Sequence, residues 1–345
     1  MYDMNAISIA GAGVSGLTAA ITLANGGVPV EVYEILPFHT WRSVSKGIQA
    51  IRNYEARQDI LDKFKGMGIR FFKPYPVYRE LRYSPSLKQI EIFSKDRPIF
   101  YCLSRNPPSS IMSDLFDEAA RKNVIFKFGS TVKNPDITAT GPRMRRISVF
   151  AYHYEKTNCD GSVHIFLDNR HASQGYVGIL PYHDGEMTLG SASFNTSEDM
   201  SALKRKLDRF IEANPIVKDF LKGAKRAQII SDFEDYDAPG TAKAENSILT
   251  GEAAGFMDAS RGFGLSCAVE SGYLAARSII ENSSYDELWK GSFGKEISRY
   301  YLRRKQLARL NNTDYEKIIG EMIRRYGPAI SAERYADFKS SSSVY

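Results

Sequence analysis

Six residues near the start, Gly11-Ala12-Gly13-Val14-Ser15-Gly16, constrain this chain more than any other segment. They follow a short apolar run at residues 6–10 (AISIA), of the kind a buried parallel strand shows, and they precede a helical stretch at 17–24. Residues 28–33 (VPVEVY) read as a second strand that ends at Glu34, 18 positions beyond Gly16. The glycines have separate tasks: Gly11 for the tight turn, Gly13 so that backbone can approach a pyrophosphate, and Gly16 so that helix and strand pack closely. The pyrophosphate would rest on the free N–H groups of the first helical turn, at Val14 and Ser15, and on the positive end of the helix dipole. Glu34 would accept hydrogen bonds from a ribose hydroxyl. The competing reading is a glycine-rich turn with no ligand. The strand before, the helix after and the acid at the expected distance favour a bound dinucleotide.

A second glycine-rich stretch lies far downstream: Leu249-Thr250-Gly251-Glu252-Ala253-Ala254-Gly255-Phe256, then Arg261-Gly262-Phe263-Gly264-Leu265. An apolar run at 247–249 precedes it, and residues 265–280 follow as a helix rich in small residues. This is again strand, tight turn and helix N-terminus, with an acid placed to meet polyol hydroxyls. A short NAD site does not need two such units nearly a chain length apart, whereas an extended FAD molecule does.

Taken together, GAGVSG with Glu34, an internal Ala139-Thr140-Gly141 and GEAAGFMDASRGFG resemble FAD-dependent oxidoreductases of the aromatic-hydroxylase fold. More narrowly the chain resembles the geranylgeranyl reductases, flavoenzymes that saturate isoprenoid double bonds. Gln174-Gly175-Tyr176-Val177-Gly178-Ile179-Leu180-Pro181 is similar to that family's G-Y-x-W-x-F-P segment beside the flavin, with Gly178 and Leu180 at the tryptophan and phenylalanine positions. Residues 268–276 (AVESGYLAA) are similar to its helix after the second glycine turn, and 285–298 to the start of its C-terminal helices. The family's Cys-Gly pair appears as Ser45-Lys46-Gly47, and its Gly-Asp as Gly251-Glu252. The resemblance implies an α/β fold: a Rossmann-like FAD-binding domain, an inserted antiparallel-sheet substrate domain and a C-terminal helical region. It implies FAD contacts from Gly11, Gly13, Val14, Ser15, Gly16, Glu34, Lys46, Gly47, Arg105, Val132, Thr140, Gly141, Gly251, Glu252, Gly262, Gly264 and Leu265. Tyr176, Pro181 and Tyr182 would belong to the substrate pocket.

The expected FAD domain is discontinuous, at 1–73, 103–142 and 244–282, with the substrate domain at 74–102 and 143–243 and the helical region at 283–345. Within these, 110–122 has helical spacing, and 80–93, 147–154, 163–167 and 186–191 alternate as half-buried antiparallel strands do. Residues 204–213 read as a helix stopped near Pro215. In the tail Trp289, Phe293, Ile297 and Tyr301 recur every fourth position, with Lys290, Lys295, Arg299, Arg303 and Arg304 on the other sides. That face either packs on the body or lies on anionic lipid.

Composition narrows the classes further. With 43% hydrophobic and 25% charged residues, disorder and coiled coil are excluded, and 345 residues suffice for about two domains. The +6 net charge is concentrated in residues 284–345, where 12 basic minus 8 acidic residues give +4; nothing in it points to nucleic acid. Cys102, Cys159 and Cys267 lie far apart, which excludes a disulfide framework and suits a reducing, cytoplasmic compartment, with peripheral membrane contact as an option. Residues 6–24 are uncharged but rich in Gly, Ser and Thr rather than large apolar side chains, so they are not read as a membrane span, and no signal peptide is expected. The five histidines show no metal-ligand spacing, so no metal is expected.

If the flavin carries the redox step, no conspicuous catalytic constellation is required, and none is apparent. Ser43-Val44-Ser45-Lys46 matches S-x-x-K without its companion motifs, which rejects acyl transfer. The reductant is NAD(P)H or a protein electron donor. The leading expectation is reduction of an isoprenoid or similarly apolar substrate. A flavin monooxygenase or reductase of a small ring compound, and a catalytically idle FAD-binding sensor, are the alternatives.

Overall fold

A computed structural model describes residues 6–44, 46–53, 58–106 and 110–341, with side chains to residue 336 in the last helix. Its organising feature is a six-stranded sheet in the order Lys243–Ala244, Ser247–Leu249, Ile137–Thr138, Ile7–Ala10, Val30–Glu34, Ile125–Phe128. The inner pairings are all parallel, with Ile7 opposite Val30 and Ile9 opposite Ile137. Ile7–Ala10 is the central strand from which the order runs both ways. In such sheets ligands sit beyond the carboxyl ends of the strands at that switch point.

The Val14–Asn25 helix follows Ile7–Ala10 and is buried from Val14 through Leu23. It is enclosed by its sheet, the Leu265–Ile280 helix and the Ile111–Arg121 helix, and small residues make that possible. A Cβ on Gly16 would lie 2.1 Å from the Gly11 carbonyl oxygen, and one on Gly272 would lie 2.2 Å from the Ser15 carbonyl oxygen. The second contact brings the helices after the two glycine turns into backbone contact, although their sequences are some 250 positions apart.

The second layer is an eight-stranded sheet in the order Lys225–Glu234, Ile147–Glu155, Met187–Ser193, Tyr176–Pro181, Val163–Phe166, Arg79–Tyr83, Gln89–Phe93, Ala329–Ser331. Most of its pairings are antiparallel, and Met200–Ala213 packs on one face through Leu203, Leu207 and Phe210. That helix is capped by Asp199; Asn214 then caps the Pro215–Phe220 helix, so Pro215 begins a helix as well as ending one. Ile48–Arg52, Phe100–Ser104 and Tyr75–Val77 form a separate three-stranded antiparallel sheet, and its Phe100–Ser104 strand spans the domain boundary expected at residue 102.

The tail is helical at Tyr285–Trp289, Lys295–Leu307 and Asn312–Tyr326, but Ala329–Ser331 then adds a parallel edge strand to the eight-stranded sheet. Trp289, Phe293 and Ile297 are buried in the main core, so the apolar face is already used in packing on the body. Arg303 and Arg304, expected on the solvated sides, are instead buried. No helix among the described residues is long and apolar enough to cross a membrane.

Candidate active site

A cleft of about 740 Å³ opens at the carboxyl ends of the parallel strands and runs toward the eight-stranded sheet. The first glycine turn forms one end. Gly11 has φ +102°, and a side chain there would meet the Ala139 carbonyl oxygen at 2.4 Å, so only glycine fits the turn. Gly13 is the N-cap of Val14–Asn25, with no side chain capping the helix and no acid in its first turn. The leading N–H groups therefore face the cleft without a protein acceptor at that cap. Glu34 is buried and accepts from the N–H of Ala12 at 2.9 Å and of Leu36 at 3.0 Å, which binds the second strand's end to the glycine turn.

The second glycine turn forms the facing wall. Gly264 is the N-cap of Leu265–Ile280, and again neither a capping side chain nor a first-turn acid is present. A Cβ on Gly251 would be 2.8 Å from Ser15 Oγ, so the two turns meet directly. Two uncapped helix starts thus open on one cleft, the arrangement that an elongated, phosphate-bearing cofactor fits.

Of the residues expected to hold cofactor, Gly11, Gly13, Val14, Ser15, Glu34, Lys46, Arg105, Val132, Thr140, Gly141, Gly251, Glu252, Gly262, Gly264 and Leu265 line this cleft, and so does Tyr176. Gly16 does not; its place is in the helix–turn packing. Gly47 lies behind the wall, where its N–H donates to Asn106 Oδ1 at 2.9 Å and a Cβ would press on Thr188 and Ile230. Pro181 and Tyr182 also lie outside the lining. The Tyr182 hydroxyl donates to the Lys73 carbonyl at 2.9 Å, and its ring packs near Tyr75 and His183. Ser45 falls outside the described residues. Tyr176, in contrast, donates to the Arg261 carbonyl at 2.5 Å, joining the large sheet to the second glycine turn.

The sequence reading did not anticipate the acids of Lys225–Glu234. Asp232 and Glu234, two apart on one strand, both line the cleft, and Asp232 pairs with Lys46 at 2.6 Å. Burial, with repulsion from Glu252 and Asp232, holds the Glu234 carboxyl well above the usual range. Glu252 is raised by burial to about 7, with Lys46 opposing and Asp232 reinforcing the shift. Burial lowers the Arg105 guanidinium, while Asp232, Glu252 and Glu234 pull it back up, and Arg105 Nη1 donates to Gln49 Oε1 at 3.3 Å. The alternation of Asp and Glu in SDFED was the available signal.

Cys159, Asp160 and His164 also come together, away from this cleft. His164 Nε2 meets Asp160 at 2.9 Å, its Nδ1 meets the Tyr83 hydroxyl at 3.0 Å, and burial raises the Cys159 thiol to about 11. Both ring nitrogens of His164 are thus engaged within the protein.

No family model matches the chain. An uncharacterized protein of Methanocaldococcus jannaschii is 30% identical over 175 residues, covering 47% of this chain and 43% of that protein. A digeranylgeranylglycerophospholipid reductase of Methanothrix thermoacetophila is 24% identical over 178 residues, covering 48% and 44%. The matches thus span less than half the length of these curated relatives. Among solved structures, a geranylgeranyl bacteriochlorophyll reductase-like protein from Thermoplasma acidophilum superposes with a TM-score of 0.75 at 20% identity, over 91% of this chain and 90% of that one. A myxobacterial FAD-dependent halogenase superposes with a TM-score of 0.61 at 15% identity, over 94% and 82%. The chain therefore has the fold of the FAD-dependent flavoproteins; over part of its sequence it is similar to digeranylgeranylglycerophospholipid reductases, and in structure to a geranylgeranyl bacteriochlorophyll reductase-like protein.

Proposed function

We propose that this protein is an FAD-dependent oxidoreductase that reduces C=C bonds of an isoprenoid chain. The observation that carries the reading is the meeting of two uncapped helix N-termini, Val14–Asn25 and Leu265–Ile280, in one long cleft. The names of the relatives support the substrate class. Gly13, Val14 and Ser15 would hold the pyrophosphate by backbone N–H groups, Glu34 the adenosine ribose, and Glu252 with Gly264 the far end of the cofactor. When bound, the flavin would supply the two-electron chemistry.

The residues of the chain supply the rest. Ile165, Gly178 and Leu180 give the large-sheet side of the cleft an apolar lining suited to a hydrocarbon chain. At Gly178, where the family has tryptophan, the Tyr176 ring closes over the backbone, 3.1 Å from where a Cβ would lie. Saturating a double bond consumes a hydride and a proton, and Glu234 lies at the cleft wall 3.2 Å from where a Gly262 side chain would begin, its carboxyl held well above the usual range by burial and by repulsion from Glu252 and Asp232, the direction a proton donor needs.

The test starts from a visible spectrum of the purified protein, which should show bound flavin or acquire it on soaking. With dithionite and a geranylgeranyl lipid, mass spectrometry should then show gains of two hydrogens per step, and Glu234→Gln should slow this step at least tenfold. Good flavin content with an unchanged lipid rejects the reductase reading.

A further inference from the structure

Behind Tyr176 lies a second space of about 90 Å³, between the large sheet and the C-terminal helices. Tyr176, Ile165, Arg261 and Phe263 line both it and the main cleft, so the two are neighbours across a common wall. Arg82, Arg303 and Arg304 complete its cationic side. Arg82 is held by Glu80 at 2.8 and 3.1 Å and donates to the Tyr335 hydroxyl; Arg261 also lies 3.7 Å from Glu80.

Arg304 differs. It is only 4% exposed, its guanidinium stacks 4.2 Å over the Phe194 ring, and its Nη2 has no hydrogen-bond partner among the described residues. The phenols of Tyr236, Tyr315 and Tyr176 are the groups that offset its burial, and they do so weakly, while Glu80, which also lines the chamber, is engaged by Arg82 and Arg261. A buried guanidinium N–H left unmatched is costly, and its presence calls for an acceptor. The planar fork suits a phosphate oxygen pair. A buried water takes about 10–15 Å³ by the same measure, so the space holds several waters or one phosphate-sized oxyanion.

We infer that this chamber binds a phosphate group, with Arg304 as its principal donor. Under the reductase reading, on which this next step rests, the phosphate is the headgroup of the prenyl substrate. The chain then passes Tyr176 and Phe263 into the cleft, bringing its first double bonds to the redox site. Phosphate binding itself does not depend on that reading, and free phosphate or pyrophosphate is the other source of the same chemistry.

The test uses the full-length, FAD-loaded protein with Arg304→Met and Arg304→Lys, both checked for flavin content and melting temperature. By calorimetry, inorganic pyrophosphate should bind the wild type, bind Arg304→Met at least tenfold more weakly, and bind Arg304→Lys in between. Geranylgeranyl diphosphate should reoxidise the dithionite-reduced protein at a concentration at least tenfold below that of geranylgeraniol, and Arg304→Met should erase this preference. If Arg304→Met does not fold, Arg304→Lys carries the comparison, since a point charge cannot replace the fork. Pyrophosphate binding that depends on Arg304, with neither lipid reduced, upholds the chamber for free phosphate and rejects the reductase reading. Equal use of alcohol and diphosphate by the wild type, or binding indifferent to Arg304, overturns the inference.

Discussion

At the scale of single residues, the acids of the cleft make stability depend on pH in an unusual direction. Most carboxylates in folded proteins are held below their unfolded values, so stability rises with pH. Glu252 is held above, at about 7 against an ordinary 4.5, chiefly because it is buried. Between those values the native state binds more protons than the unfolded chain, so this group's contribution falls as pH rises through the interval and is flat above it. The full difference is worth at most about 3 kcal/mol. Glu252→Gln removes the titration and should therefore melt higher than the wild type by an amount that grows from pH 4.5 to 7 and levels off above pH 8. A melting difference that stays constant across that range contradicts the assignment. Glu234 titrates in the same direction, and loss of the Glu252 charge also relieves the repulsion on it.

At the scale of elements, the packing of Val14–Asn25 against Leu265–Ile280 inverts a common rule. Replacing a mid-helix glycine by alanine normally gains about 0.5–1 kcal/mol. Gly320, inside Asn312–Tyr326 with nothing within 4 Å of a new Cβ, should follow that rule. Gly272 should not, because its Cβ would sit 2.2 Å from the Ser15 carbonyl oxygen and force the helices apart, at roughly 1–3 kcal/mol. Chemical denaturation of Gly320→Ala and Gly272→Ala should give changes of opposite sign, and a stabilised Gly272→Ala would show that the helices do not meet there. Elements of this kind were legible beforehand: the turns are written in glycine, and 265–280 was read with the observed bounds of Leu265–Ile280. Ile48–Arg52 and Phe100–Ser104 were not, because both faces of each are largely buried and the period of two is lost. Lys225–Glu234 was missed for the opposite reason: it is a mostly exposed, polar edge strand with Ile230 as its buried residue. The acids it brings to the cleft were missed with it, since only the pairing with Ile147–Glu155 carries them there.

At the scale of the whole molecule, the tail completes the large sheet rather than decorating it. Ile330 pairs opposite Ile92, and the Glu91 N–H donates to the Pro328 carbonyl at 2.9 Å. Asn169 donates two further bonds to the tail, from its N–H to Asn312 Oδ1 at 2.9 Å and from its Nδ2 to the Leu310 carbonyl at 2.9 Å. The sequence showed the helical face through Trp289, Phe293, Ile297 and Tyr301 by its spacing, but a three-residue strand is too short to carry a period. Tyr335 is fully buried after that strand, its ring 4.6 Å from the Arg82 guanidinium. Tyr335→Ala should cost about 3–5 kcal/mol, as truncating a buried aromatic side chain does, and it removes an acceptor from Arg82. Because the residues it supports are at one edge of the sheet, the loss should be local first. Hydrogen exchange should quicken in Gln89–Phe93 and Arg79–Tyr83 while Ile7–Ala10 and Val30–Glu34 keep their protection and flavin uptake is retained. Uniform acceleration across both sheets would instead show one cooperative unit, in which the tail stabilises the parallel sheet as directly as the eight-stranded one.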